Sequence, residues 1–176
     1  MDLANFLIAM GAKIEGAGTR SITIEGVKEL HGAEHEVIPD RIEAGTFLAA
    51  GAISGDEVTV SRVNPVHLES VTSLLANSGF EILSNGSQVT IRPGAKRTAL
   101  KIDAVPFPGF PTDMQAQMCA LMATTEGISV VSDHVFPHRF MHVAEMKRMG
   151  ADIELQGGTA VIKGVAQLSG APVMAS

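Results

Sequence analysis

Residues 39–60 read PDRIEAGTFLAAGAISGDEVTV, and residues 111–131 read PTDMQAQMCALMATTEGISVV. The two align without a gap at an offset of 72 residues, Asp40 against Thr112 and Gly55 against Gly127. Each opens on Asp/Thr-x-x-Glu/Gln (Asp40 with Glu43, Thr112 with Gln115). In this capping box a side-chain oxygen accepts from orphan helix N–H groups and the residue three on reaches back. An apolar helix, a glycine and a β-branched strand follow in both.

The repeat extends outward from this pair. GAKIEGAGTRSITIEGV from Gly11, GFEILSNGSQVTIRPG from Gly79 and GADIELQGGTAVIKGV from Gly150 are three copies of glycine, strand, turn and strand. The leading glycine suits the left-handed residue that ends a helix. Alternation places Ile14, Ile82 and Ile153 on the first strands, and Ile22/Ile24, Val89/Ile91 and Val161/Ile162 on the second. Upstream of each glycine lie apolar residues at helical spacing: Leu3, Phe6, Leu7, Met10; Leu68, Val71, Leu74, Leu75; Phe140, Val143, Met146, Met149. The full unit is therefore helix, strand, helix, strand, strand.

Met1 falls in the second half of such a unit, and GVAQLSGA from Gly164 repeats the connector GVKELHGA from Gly26 that leads to the cap at Asp40. The expectation is a piece of a longer repeat protein.

The chain has 176 residues, 45% hydrophobic and 18% charged, which places it among globular proteins able to bury a core. A formal charge of −6, no Trp, no Tyr and no basic run argue against a nucleic-acid surface. No apolar run approaches the roughly 20 residues of a membrane-spanning helix, so the reading is cytoplasmic with no membrane partner. The single cysteine, Cys119, lies on an apolar helix, where packing is its ordinary role.

Asp113 follows the cap at Thr112. An acid there complements the helix dipole, and the same position lets a carboxylate act as general base on a hydroxyl. Arg139, beside a loop that precedes a helix, is placed either to hold a phosphate or carboxylate or to be solvated. His134, His138 and His142 are spaced by four, but Pro137 breaks the helical face that would bring them to one metal, so no metal site is expected.

The strings PDRIEAGTFLAAGAISG, FPTDMQAQ and HVFPHRFMHVAEMKRMGA together resemble the UDP-N-acetylglucosamine enolpyruvyl transferases, through essentially the whole chain. The resemblance implies transfer of the enolpyruvyl group of phosphoenolpyruvate to the 3′-hydroxyl of UDP-N-acetylglucosamine, with release of phosphate. That is the first committed step of peptidoglycan synthesis, and it needs no metal or organic cofactor. It also implies an α+β fold, an inside-out α/β barrel of βαβαββ units, here incomplete. Residues 1–38 would be the tail of a first domain. Residues 39–176 would be part of a second domain, with units 39–94 and 110–165.

By the same resemblance Asp113 is a sugar-nucleotide contact and the base, Val135 contacts the UDP portion, and Arg139 lines the cleft. Asp40 and Arg41 border the substrates where the chain crosses between domains. The family's proton-donating loop cysteine and its phosphoenolpyruvate-gripping cations have no counterparts in this chain, so the chain alone is expected to be inactive. Two other readings stand beside this one: the related transferase acting on shikimate 3-phosphate, and a non-catalytic repeat module that self-associates through uncovered helix faces.

Overall fold

The structure, a computed structural model, describes residues 1–174. The chain separates into two compact units, Met1–Pro39 and Asp40–Ser176.

The first unit is one helix and one hairpin: α1 (Asp2–Ala9), β1 (Lys13–Glu15) and β2 (Thr23–Glu25), with Ile14 opposite Ile24 in the antiparallel pair. The His35 ring stacks on Phe6 at 5.1 Å between centroids and bonds Asp2 at 2.9 Å. No residue of α1 is buried, and Leu3, Ile22 and Ile24 are more than half exposed.

The second unit holds two copies of the repeat. The first copy is α2 (Arg41–Ser54), β3 (Val58–Ser61), a single 3-10 turn at Pro65–Leu68, α3 (Glu69–Asn77), β4 (Glu81–Asn85) and β5 (Gln88–Arg92). The second is β6 (Lys101–Ala104), a 3-10 turn at Thr112–Met114, α4 (Gln115–Ala123), β7 (Ile128–Asp133), α5 (Met141–Arg148), β8 (Asp152–Gln156) and β9 (Thr159–Lys163). The β4–β5 and β8–β9 hairpins share one register, with Ile82 opposite Ile91 and Ile153 opposite Ile162, while the first hairpin sets Ile14 opposite Ile24 across a loop longer by one residue. Gly11, Gly79 and Gly150 stand before them at φ +99°, +98° and +92°, a conformation costly for any residue with a Cβ.

Two sheets result, ordered β3-β5-β4 and β6-β7-β9-β8. Every pairing is antiparallel except β6 with β7. One contiguous core runs through both repeats, with Leu48, Leu75, Ile91, Met118, Leu121, Met122, Ile153 and Ile162 all inaccessible or nearly so. Each such side chain contributes about 1.5–3 kcal/mol of apolar burial. Helices α2 and α4 pack together: Gln117 Nε2 donates to Thr46 Oγ1 at 2.9 Å. Gly45 leaves room for Met114, whose Cε would stand 3.0 Å from a Cβ there.

Three differences from the sequence reading have physical reasons. Strand β6 was not foreseen, because KIDA is four residues long with only Ile102 and Ala104 on its buried side. On β9 the core face is Ala160 and Ile162, since adjacent residues on a strand point to opposite faces, so Val161 does not join Ile162. The capping box at Thr112 does not form. Asp40 Oδ1 does accept from Ile42 N (2.7 Å) and Glu43 N (3.3 Å), but α4 starts through the 3-10 turn with no side-chain cap.

Candidate functional site

Parallel pairing of β6 and β7 sets Ala104 beside Asp133, so the chain leaves both strands at the same edge of the sheet. The segment after β6 runs through Phe110 to the turn at Thr112–Met114, and the segment after β7 runs through 134–140 to α5. Loops at the carboxyl ends of adjacent parallel strands are where open sheets bind ligands.

Asp133 ties these loops together. It is 2% exposed, and its Oδ1 accepts from Val135 N (2.9 Å) and Phe136 N (2.8 Å), while Oδ2 accepts the Thr112 hydroxyl proton at 2.5 Å. Thr112 thus spends its hydroxyl on the neighbouring loop instead of on α4. Sequence reasoning missed Asp133. Its signal was an acid at a strand end, two and three residues before N–H groups that an Asx-type turn would satisfy.

With Thr112 held this way, Asp113 projects from the turn and meets Arg139, whose Nη1 donates to Asp113 Oδ1 at 2.5 Å. Both side chains are 47% exposed, so the pair is solvated and open to competition from a ligand. A cavity of about 570 Å³ lined by Asp113, Phe136, Pro137, His138 and Arg139 lies against it. A second one of about 180 Å³ shares Asp113 and Arg139 and is lined also by Thr112, Gln115, Met141 and His142. Arg139 also stands 5.8 Å from the Phe136 ring centroid. Burial lowers the pKa of His142, which favours the neutral ring.

Of the residues singled out from sequence, Asp113 and Arg139 are in direct contact, and Val135 is anchored two residues beyond Asp133. The Val135 N–H is already spent on Asp133, its side chain is half-buried, and it lines neither cavity. Asp40 and Arg41 do not line either cavity: Asp40 caps α2, and the Arg41 guanidinium lies 5.1 Å from the Phe107 ring centroid. His134 bonds Asp103 at 3.3 Å, away from His138 and His142. Cys119 is fully buried on α4, and burial pushes its thiol up to about 12, so it packs and does not act as a nucleophile.

The α+β repeat has matching solved structures. The enolpyruvyl transferase NikO from Streptomyces tendae superimposes with a TM-score of 0.79 at 24% identity, covering 93% of this chain and 39% of that one. EPSP synthase from Acinetobacter baumannii does so with a TM-score of 0.59 at 17% identity, covering 95% and 39%. The fold is that of the enolpyruvyl transferases.

The family profile described as EPSP synthase (3-phosphoshikimate 1-carboxyvinyltransferase) matches residues 1–176, and the chain belongs to that family. Among curated relatives, the UDP-N-acetylglucosamine 1-carboxyvinyltransferase of Akkermansia muciniphila is 60% identical over 178 residues, covering 100% of this chain and 42% of its own length. The protein of the same name from Myxococcus xanthus is 54% identical over 175 residues, covering 99% and 42%. The chain therefore spans about two fifths of the length of these relatives. Among the described residues no helix is long and apolar enough to cross a membrane.

Proposed function

We propose that this chain supplies the hydroxyl-activating wall of an active site that moves the enolpyruvyl group of phosphoenolpyruvate onto the 3′-hydroxyl of UDP-N-acetylglucosamine, in the cytoplasm, for peptidoglycan synthesis. The observation that carries the reading is the Asp113–Arg139 pair, open to two cavities at the carboxyl ends of β6 and β7. The names of relatives at 60% and 54% identity support the choice of substrates.

In the addition step the 3′-oxygen forms a bond to the carbon that bears the phosphate, its proton passes to Asp113, and a proton reaches the methylene carbon, which becomes a methyl group. Loss of phosphate from the first carbon together with a proton from the methyl group then restores the double bond. Arg139 attracts an anionic substrate through a planar guanidinium suited to carboxylate or phosphate, and engagement there loosens its hold on Asp113. The Asp113 carboxylate is then free to take the hydroxyl proton. Val135 packs against the uridine diphosphate portion, whereas Asp40 and Arg41, which line neither cavity, are left out of this site. The group that protonates the methylene carbon and the cations that hold the phosphate lie outside these residues, so the isolated chain does not turn over.

In the complete protein, Asp113→Asn is expected to lower kcat by about 10²–10⁴-fold, the ordinary worth of a general base, with little change in binding of UDP-N-acetylglucosamine. Turnover within a few-fold of the parent removes Asp113 as the base, and phosphate release by the isolated chain removes the claim of inactivity.

The family description itself favours a second reading, shikimate 3-phosphate as acceptor. Competition between the two acceptors in the complete protein separates them. Self-association is part of the proposal as well, because Leu3, Ile22 and Ile24 in the first unit and Phe47 in the second expose apolar surface. A monodisperse monomer in light scattering would count against it.

A further inference from the structure

Gln115 opens α4 and is 1% exposed, yet its amide Nε2 has no hydrogen-bond partner. The capping role that its position suggests is not what it does, since Thr112 is bonded to Asp133 and α4 has no side-chain cap. His142, the second residue of α5, also has a buried Nε2 without a partner. Both side chains line the 180 Å³ pocket that holds Asp113 and Arg139. Burying a polar nitrogen unbonded is costly, so the Gln115 amide and the His142 ring nitrogen in one pocket mark a place prepared for a polar guest.

The guest's chemistry follows from the lining. The Asp113 carboxylate, released when Arg139 engages an anion, lies beside uncharged Gln115 and a His142 ring that burial favours as neutral. Such a pocket suits an uncharged, hydroxyl-bearing group better than a further anion. At about 180 Å³ it is the smaller of the two cavities that meet at Asp113 and Arg139.

We propose that Gln115 and His142 are substrate-contacting residues of this site. The Gln115 amide donates to the acceptor hydroxyl oxygen at Asp113, and His142 Nε2 meets the neighbouring polar group of the same sugar ring. Neither takes the proton, which goes to Asp113; they fix the oxygen's position so that the O–H points at the carboxylate. This deepens the function proposed above and rests on its placing of the acceptor sugar at Asp113.

The test is steady-state kinetics of the complete protein carrying Gln115→Met, a substitution of similar volume that removes the unbonded amide. The melting temperature is expected to hold or rise, because an unsatisfied buried group has gone. KM for UDP-N-acetylglucosamine should increase roughly tenfold, the worth of one hydrogen bond, with a smaller change in kcat. A merely structural amide would leave KM unchanged, and that result overturns the inference while leaving Asp113 as the base untouched. A raised KM in Gln115→Met beside full turnover in Asp113→Asn would do the reverse. Should the variant fail to fold, titration of the parent protein with UDP-N-acetylglucosamine provides the second readout. The Gln115 side-chain amide resonances are expected to shift on saturation, and their constancy overturns the proposal.

Discussion

Asp40 and Thr112 occupy equivalent places in two copies of one repeat, each at the head of a helix that packs on its own sheet and on the other helix. In the first copy the carboxylate of Asp40 holds the N–H groups of Ile42 and Glu43, and Arg41 lies over Phe107. In the second copy the hydroxyl of Thr112 turns to Asp133, which takes the structural load for both loops. The position corresponding to Asp133 is Ser61, and there the following turn is capped by Asn64 through Val66 N. Moving the load to one buried carboxylate leaves Asp113 free to face Arg139 and leaves Gln115 unbonded beside it. In the second copy the added strand β6 and the transfer of capping duty to Asp133 together leave room for the Asp113–Arg139 pair.

The largest stability effect expected from this comparison is at the organiser. Asp133→Ala leaves the Thr112 hydroxyl and two backbone N–H groups without their acceptor and should cost about 3 kcal/mol in denaturant unfolding. A loss under ~0.5 kcal/mol would mean that the loops are held by something else. Asp40→Ala should cost about 1 kcal/mol, the worth of a helix cap. Thr112→Ala, at the equivalent place, acts through Asp133 alone. Its effect should vanish in the Asp133→Ala background, whereas that of Asp40→Ala should add to it; additive behaviour of both would erase the contrast.

The smallest effect is a pH slope. His142 has its pKa lowered by burial, so on acidification the unfolded chain takes up the proton first. Its stabilising contribution is whole above about pH 6.5 and declines as pH falls below that value. Position 70, its counterpart in the first copy, is serine and carries no such dependence. Comparing unfolding at pH 7.5 and pH 5, His142→Phe should be less acid-sensitive than the parent; equal slopes in the two proteins would discard this assignment.

Much of the secondary structure was legible because repetition multiplies weak signals. Ile14, Ile82 and Ile153 each suggest a strand, and three of them behind three glycines define a hairpin. Local sequence logic named Asp113 and Arg139 as candidates but left each between two roles, and the family resemblance chose between them. What stayed hidden depends on contacts between distant segments. Strand β6 is too short to have a period of its own and gains its identity from pairing with β7. Thr112 and Gln115 form a good capping box by local rules, and only the approach of Asp133 from 21 residues away draws the threonine off. The same long-range contact explains why Gln115 reads as a helix-starting residue in sequence and as an unbonded group in the fold.

The burial of Cys119 has a practical side. A lone thiol held protonated inside α4 is invisible to alkylating dyes while the chain is folded. One cysteine introduced at exposed Phe136, on the rim of the larger cavity, would then carry a fluorophore at a single known address. Events at that cavity could be followed by light in this chain without first replacing Cys119.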